Sequence, residues 1–233
     1  MSRGSSRPRK GSSGRTADLF GYDVDTLIFE RGARSSGYRL IAGVDEAGRG
    51  PLAGPVVAAA VILPDDLVIP GVADSKQVPA AKRENLRHEI IRQALCYGVG
   101  IVDERTIDEV NIYQASILAM EKALQALTPP PDYVLIDALA LPRVTLPQQA
   151  IIKGDCRSHT IAAASILAKV TRDRLMHDLH ERFPHYNFKK HKGYGTREHL
   201  SLLQEHGPCD AHRKSFGPVA RMLERQESEA SRQ

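Results

Sequence analysis

Apolar residues recur along the chain in short runs that Gly, Pro and charged residues interrupt. Short runs that are rich in β-branched side chains are typical of buried strands. They predict strands at 41–44, 56–63, 97–102, 133–136 and 150–152. Longer stretches with apolar residues on one face predict helices, and these lie at 18–34, 80–95, 112–127 and 158–183. This order of strands and helices predicts an α/β layered domain with a mixed sheet.

Length and composition limit the class of protein. The 233 residues are 42% hydrophobic, as in a globular protein with one sizeable core. No apolar run approaches the roughly 18 residues that a membrane helix requires, and the polar start of the chain lacks the apolar segment of a signal peptide. We therefore expect a cytoplasmic protein with no membrane contact. Cys96, Cys156 and Cys209 form no C-x-x-C pair, so they predict neither a disulfide framework nor a zinc ribbon.

Positive charge is concentrated at the start of the chain. The formal net charge is +4, but residues 1–15 contain five Lys or Arg residues and no acid, which leaves −1 for the remainder. A segment rich in Ser, Gly and Arg cannot bury enough apolar surface to order itself. It suits electrostatic contact with nucleic acid, and a plain solubilising tail fits the same composition.

Acidic residues follow three of the predicted strands. Asp45 and Glu46 end the first strand, Asp137 ends the fourth, and Asp155 follows the fifth. An isolated Asp-Glu pair is most simply a solvated turn, paired here with Arg49. Because sites in open α/β sheets form at the carboxyl ends of adjacent strands, we expect the four acids to converge.

Four converging carboxylates repel one another unless cations lie among them. Oxygen ligands select hard ions such as Mg²⁺ or Mn²⁺, and two such ions about 4 Å apart promote in-line displacement at a phosphodiester. The pattern therefore predicts a nuclease that uses two metal ions. Asp45 is expected to bridge the ions, with Glu46 and Asp137 each completing one coordination sphere. Asp155 is expected either to bind the second ion or to position water.

A glycine-rich turn follows the first two acids. Gly48, Arg49 and Gly50 let the main chain approach a substrate closely, because glycine has no side chain; a tight hairpin turn is the structural alternative. The spacing of Gly48, Gly50 and Gly54 is one residue longer than the dinucleotide-binding fingerprint, and a strand rather than a helix follows it. We therefore expect a turn that contacts substrate rather than a nucleotide cofactor.

The composition changes after Pro184, where basic and aromatic residues interleave. This combination suits a phosphate backbone with accessible sugars or bases. The residues are Lys189, Lys190, Lys192, Arg197, Arg213 and Lys214, with Tyr186, Phe188, Tyr194 and Phe216. The histidines of the same region have spacings that fit no compact zinc site.

In the loop before the helix at 80–95, Lys76 is expected to contact phosphate, and an exposed loop lysine is the alternative.

Seven motifs, in order, resemble bacterial ribonuclease HII, and the likeness covers residues 38–223. They are DEAGRGPLAGPV (45–56), DSK (74–76), LID (135–137), KGD (153–155), AASILAKVTR (163–172), HKGY (191–194) and SFGP (215–218). The first motif alone is highly specific. One departure concerns a loop rather than a ligand, since Ala138 and Leu139 follow Asp137 where many relatives have Gly-Asn.

The resemblance implies an endonuclease that hydrolyses RNA in RNA–DNA hybrids and cuts at single ribonucleotides embedded in duplex DNA. It implies 3′-hydroxyl and 5′-phosphate products, a role in DNA repair and replication, and the ribonuclease H-like fold, a five-stranded mixed sheet flanked by helices. In the family, the acids that bind the catalytic Mn²⁺ or Mg²⁺ ions match Asp45, Glu46, Asp137 and Asp155. The turn matching 48–50 contacts the ribonucleotide 2′-hydroxyl. The tyrosine matching Tyr194 stacks on the sugar after the scissile position and helps to sense that hydroxyl.

Five segments are predicted along a monomeric chain. They are a disordered basic tail (1–16), an N-terminal helical extension (17–37), a ribonuclease H-like catalytic domain (38–183), a C-terminal helical substrate-binding segment (184–226) and a flexible tail (227–233).

Two other functions fit part of the pattern. A metal-dependent phosphotransferase of another kind, such as a transposase or junction resolvase, would share the acids but would not sense a ribose hydroxyl. A non-catalytic nucleic-acid-binding module would need only the basic tail and the aromatic region, and the intact set of four acids argues against it.

Overall fold

A central β-sheet organises residues 15–17, 23–72 and 78–230, which are the residues that the computed structural model describes. The strands are β1 (Arg15–Ala17), β2 (Asp23–Asp25), β3 (Ile41–Ala47), β4 (Val56–Ile62), β5 (Cys96–Val102), β6 (Tyr133–Asp137) and β7 (Gln148–Ile151). The helices are α1 (Ile28–Ser35), α2 (Ala80–Gln93), α3 (Glu104–Gln125), α4 (Gly154–Arg157), α5 (His159–Arg182), α6 (Phe188–His191), α7 (Arg197–His206) and α8 (Gly217–Ala230), with a 3₁₀ turn at Pro184–Tyr186.

Five strands form the main sheet in the order β5-β4-β3-β6-β7. Strand β4 is antiparallel to both β3 and β5, whereas β3, β6 and β7 run parallel to one another. The five-stranded mixed sheet is therefore confirmed. The register pairs Val44 of β3 with Ile136 of β6, so the residues that follow, Asp45 and Asp137, lie at the same edge of the sheet.

Helices cover both faces of the sheet. All seven residues of β4 are buried. Alternate side chains of a strand point to opposite faces of the sheet, and helices cover both faces here. Ala58 belongs to the cluster on the α3 side, and Ala59 belongs to the cluster formed with α2 and α5. At Gly43 of β3, a Cβ atom would lie 2.3 Å from the main-chain carbonyl carbon of Thr160 in α5. The missing side chain lets α5 lie directly against β3, close to the acids at the end of that strand.

Helix α3 is longer than predicted and is broken. It begins at Glu104 rather than at residue 112, with Asp103 as its N-cap accepting a hydrogen bond from the Thr106 amide (2.9 Å). Asn111 interrupts it with φ of 69°, and its side-chain oxygen accepts hydrogen bonds from the amides of Tyr113 and Gln114. This internal cap restarts the helix, so the apolar periodicity at 112–127 revealed only its second half.

The two ends of the described chain differ from the predicted segments. Helix α8 continues to Ala230, four residues into the expected flexible tail, because residues 223–230 include several strong helix formers. Near the other end, β1 and β2 pair antiparallel with Thr16 opposite Val24, where a tail and a helix were expected. Both residues are β-branched and favour strands. No described helix is long and apolar enough to cross a membrane.

Candidate active site

Three of the four predicted acids converge. Asp45 ends β3, Asp137 ends the neighbouring β6, and Asp155 lies in α4 directly after β7. One carboxylate oxygen from each of the three lies within 4.8 Å of the others. Asp45 and Asp155 are buried, with 4% and 5% of their surface exposed. The parallel order of β3, β6 and β7 explains the convergence, because their carboxyl ends share one edge.

Glu46 lies beside this group but makes a different contact. Because successive side chains of a strand point to opposite faces, Glu46 is not part of the group formed by Asp45, Asp137 and Asp155. Its Oε1 atom is 3.4 Å from the Arg49 guanidinium, and the Glu46 side chain is only 10% exposed. Its other oxygen, Oε2, is buried and has no hydrogen-bond partner among the described residues.

Burial and mutual repulsion raise the pKa of the acids that lie deepest. Burial raises the pKa of Asp45 well above its ordinary value, and the negative charges of Glu46 and Asp137 raise it further. Hydrogen bonds from the Ser165 hydroxyl and from the Glu46 amide (2.7 Å) act in the opposite direction. Burial also raises the pKa of Glu46, against the lowering influence of Arg49. Carboxylates in this state are stabilised by a cation or a proton.

The donor set fits a divalent metal ion. Asp45, Asp137 and Asp155 offer carboxylate oxygens from three directions, and the unpartnered Oε2 of Glu46 faces the same charged region. All of these ligand atoms are oxygens, which Mg²⁺ and Mn²⁺ prefer. The main chain helps to orient the set, since the Gly154 amide donates a hydrogen bond to Asp137 Oδ1 (2.7 Å).

The glycine-rich turn and Tyr194 border the same cleft, which has a volume of about 250 Å³. Gly48 has φ of 98°, and a Cβ atom at this position would lie 2.1 Å from the Arg172 Nε atom. A Cβ atom at Gly50 would lie 3.7 Å from the Tyr194 ring, so the turn lies against that ring. Tyr194 is 45% exposed, so its ring is accessible from the cleft.

Lys169 also lines the cleft, although no role was predicted for it from the sequence. It lies on α5, and its ammonium group is 2.6 Å from Asp173. The available signal was its place within the AASILAKVTR motif, one helical turn after Ser165. Lys76 belongs to residues 73–77, outside the described residues, together with the rest of the DSK motif.

The interleaved basic and aromatic region is only partly a surface. Lys189, Lys190 and Arg197 are exposed. Arg213, Tyr186 and Phe188 are instead buried, with at most 5% of their surface exposed. The prediction that these three residues would meet a nucleic acid is therefore wrong. The aromatic rings fill a small core against α5, and the charge of Arg213 is matched by main-chain carbonyl oxygens.

Two buried arginines support the glycine-rich turn from behind. Arg213 donates to the carbonyl oxygens of Gly48 (2.6 Å), Arg49 (3.0 Å) and Gly54 (2.9 Å). Arg172 donates to Ala53, Pro55 and Lys192 at 3.0 to 3.2 Å. A signal for Arg172 was present in the sequence, since it lies four residues after Ala168 on the apolar face of α5.

Three buried histidines hold the segment that carries Tyr194. His199 Nδ1 donates to the Tyr194 carbonyl (2.9 Å), and its Nε2 lies 3.1 Å from His212 Nε2. His212 Nδ1 accepts a hydrogen bond from the Cys209 amide (3.0 Å), so its Nε2 carries the proton that is donated to His199. His191 stacks on His199 with ring centroids 4.3 Å apart. The arrangement requires neutral imidazoles, and burial lowers the pKa of His199 and of His212 to about 4.

The loop after Asp137 begins with a residue in the left-handed conformation. Ala138 has φ of 54°, a left-handed conformation that glycine adopts more readily. The left-handed residue follows Asp137 directly, and Asp137 is the last residue of β6.

Comparisons with known proteins identify the family of this chain. A family model described as Ribonuclease HII matches residues 42–219. The ribonuclease HII of Caldicellulosiruptor saccharolyticus is 53% identical over 196 residues, covering 84% of this chain and 96% of the relative. That of Bacillus subtilis is 55% identical over 196 residues, covering 84% and 76%.

Solved structures show the same fold. Ribonuclease H2 from Pyrococcus horikoshii superposes with a TM-score of 0.69 at 26% identity, over 81% of this chain and 99% of that one. The ribonuclease HII of a PCNA complex from Archaeoglobus fulgidus gives 0.66 at 28% identity, over 77% and 96%. The chain therefore belongs to the ribonuclease HII family, metal-dependent endonucleases that cleave the RNA strand of RNA–DNA hybrids.

Proposed function

We propose that this chain cuts RNA–DNA hybrids and also single ribonucleotides embedded in duplex DNA, by two-metal-ion hydrolysis that leaves 3′-hydroxyl and 5′-phosphate ends. Ribonucleotide removal during DNA repair and replication follows from that activity, carried out by a monomer in the cytoplasm. The observation that carries the proposal is the convergence of three carboxylates within 4.8 Å. They lie next to a cleft bordered by the glycine-rich turn and an exposed tyrosine.

Two divalent ions, Mg²⁺ or Mn²⁺, fit the acids at the sheet edge. Asp45 is central to the set, with Glu46 and Asp137 on either side and Asp155 contributing to the second site or orienting water. Ions bound there would activate water and neutralise charge on the scissile phosphate. Ser165 and the Gly154 amide keep the Asp45 and Asp137 carboxylates in place.

Recognition of ribose is assigned to the glycine-rich turn and Tyr194. The 2′-hydroxyl is the group that distinguishes a ribonucleotide from a deoxyribonucleotide. Main chain at 48–50 can approach that hydroxyl closely, and the Tyr194 ring beside Gly50 provides a flat surface for the neighbouring sugar. The C-terminal segment at 184–226 supplies basic side chains for the duplex, and Lys76 is assigned a phosphate contact.

A cleavage assay on three duplexes of matched sequence tests the proposal. The duplexes are an RNA–DNA hybrid, a DNA duplex with one ribonucleotide, and the same duplex made entirely of DNA. Each is incubated with Mg²⁺, with Mn²⁺ and with a chelator. We expect cutting of the first two with a divalent ion, with 3′-hydroxyl ends, and no cutting with the chelator.

The outcome on the all-DNA duplex separates the alternatives. Cutting of that duplex at a similar rate would indicate a phosphotransferase that does not sense ribose. Salt-dependent binding of all three duplexes without turnover would indicate a non-catalytic binding module.

A further inference from the structure

The two arginines behind the glycine-rich turn are among the most deeply buried charged groups of the described chain. Arg213 is 0% and Arg172 is 1% exposed. Burial lowers the pKa of Arg213 to about 9 and that of Arg172 to about 10. Burying a guanidinium is expensive unless its donors are all matched. An apolar side chain of similar volume would fill the same space at lower cost, so packing alone does not explain these residues.

Arg213 binds the turn at both of its ends. Its three nitrogen atoms donate to the carbonyl oxygens of Gly48, Arg49 and Gly54. In a planar trans peptide, the carbonyl and the following amide N–H point in opposite directions. Because the Gly48 and Arg49 carbonyls point inward to Arg213, the amides of Arg49 and Gly50 point away from it, toward the cleft that residues 48–50 line.

Arg172 connects the turn to the segment of Tyr194. Its Nε and Nη2 atoms donate to Pro55 and Ala53 at the end of the turn, while Nη1 donates to the Lys192 carbonyl, two residues before Tyr194. The Arg172 guanidinium carbon lies 6.0 Å from the centre of the Tyr194 ring. Arg172 thus helps to set the separation between the two parts of the cleft assigned to ribose recognition, together with the main-chain hydrogen bond from the Leu52 amide to the Gly193 carbonyl (2.8 Å).

We propose that Arg213 and Arg172 are positioning residues for ribose selectivity. Arg213 aims the amides of Arg49 and Gly50 at the 2′-hydroxyl, and Arg172 holds Tyr194 at the matching distance from them. This inference rests on the function proposed above. It extends that function by assigning selectivity to two buried side chains that support the recognition surface.

Lysine substitutions test the roles of the two guanidinium groups. Arg213→Lys and Arg172→Lys keep the charge but cannot reach three carbonyl oxygens from one fixed plane. The matched control is Arg143→Lys, which breaks a two-point contact with Glu121 (2.9 and 2.7 Å) in a separate cavity. Circular dichroism melting establishes that each variant is folded.

The readout is the ratio of two binding affinities, measured by fluorescence anisotropy in an Asp45→Asn background that does not cut. One ligand is a DNA duplex with a single ribonucleotide, and the other is the same duplex without it. We expect Arg213→Lys to lower the preference for the ribonucleotide by about three- to tenfold, with all-DNA binding unchanged. Arg143→Lys should keep the parent ratio.

Each outcome distinguishes the inference from the function on which it rests. A parent protein with no preference for the ribonucleotide would overturn the proposed function. A parent with a clear preference that Arg213→Lys and Arg172→Lys both retain would overturn only the positioning role. Should Arg213→Lys fail to fold, Arg172→Lys carries the test alone.

A double-mutant cycle addresses the coupling between Arg172 and Tyr194. If Arg172 acts by holding Tyr194, Arg172→Lys should lower the ribonucleotide preference in the parent but not in a Tyr194→Ala variant. Equal reductions in both backgrounds would contradict the coupling that we assign to Arg172.

Discussion

The acid cluster and the arginines behind the glycine-rich turn both contain buried charge, but hydrogen bonds within the chain offset this charge to different extents. At the sheet edge, like charges converge, the pKa of Asp45 is raised well above its ordinary value, and Glu46 Oε2 has no hydrogen-bond partner among the described residues. In the neighbouring region, two guanidinium groups donate six hydrogen bonds to main-chain carbonyl oxygens. Arg172 donates to those of Ala53, Pro55 and Lys192. Arg213 donates to those of Gly48, Arg49 and Gly54.

The difference indicates what each region is for. Buried charge that the chain itself satisfies stabilises one geometry, because removing either partner leaves the other unmatched. Buried like charges that hydrogen bonds within the chain offset only in part favour a cation from outside, here divalent ions. Substitutions in the two regions should therefore change stability in opposite directions while both impair activity.

The largest expected effect is that of Asp45→Asn. We expect cleavage to fall by at least about a thousandfold, equivalent to about 4 kcal/mol of transition-state stabilisation. Without metal, the melting temperature should stay the same or rise, because one repelling charge is lost. Adding Mn²⁺ should raise the melting temperature of the wild type but not that of the variant. Full activity in Asp45→Asn would remove this residue from the metal site.

Gly48→Ala changes a residue that lies between the acid cluster and the buried arginines. The new methyl group would lie 2.1 Å from Arg172 Nε at a backbone φ of 98°, so it should displace the guanidinium. We expect a loss of about 1–2 kcal/mol of stability from conformation alone and about a ten- to hundredfold loss of cleavage from misplacement of the turn. Chemical denaturation and cleavage rates measure the two losses.

Gly32→Ala is the matched control for Gly48→Ala. Gly32 lies within α1, and a Cβ atom there would meet nothing within 4 Å. The substitution should stabilise the protein by about 0.5–1 kcal/mol and leave cleavage unchanged. Similar losses in both variants would mean that the collision with Arg172 is not the cause.

The last expected effect concerns stability rather than cleavage, and is a gradual dependence of stability on pH through the buried histidines. Burial holds the pKa of His199 and of His212 at about 4, against about 6.5 in an unfolded chain. The unfolded state therefore binds more protons between these values. Their contribution is fully present above pH 6.5 and is lost as the pH falls toward 4, by about 1.4 kcal/mol per pH unit for each histidine.

Urea denaturation at several pH values between 7 and 4 measures this slope. His212→Gln should show a shallower decline than the wild type, because one titrating group is removed. Asp45 acts in the opposite direction, since a raised pKa favours the folded state as the pH falls. Asp45→Asn should therefore lose stability more steeply on acidification than the wild type, and identical slopes in all three proteins would contradict both assignments.

Local sequence determined much of the fold. Short β-branched runs such as Val56–Ile62 can bury themselves only as strands, and the positions of Asp45 and Asp137 at strand ends could be predicted once the runs were recognised. The break of α3 at Asn111 was less accessible, because an asparagine that caps a helix from within has no periodic signal. The β1–β2 pair was missed for a related reason, since short strands depend on a partner strand rather than on their own pattern.

By itself, the sequence determined which residue types could hold metal ions, where the strands lie, and the family to which the motifs belong, because these depend on local patterns. Only the tertiary structure decided that Arg213, Tyr186 and Phe188 are buried rather than exposed to nucleic acid. It also decided that Glu46 lies beside the three converging aspartates, with one oxygen near Arg49, rather than among them. Arg172 joins Pro55 to Lys192 across more than a hundred residues of chain. Burial and long-range hydrogen bonds depend on how distant segments meet, which no local pattern contains.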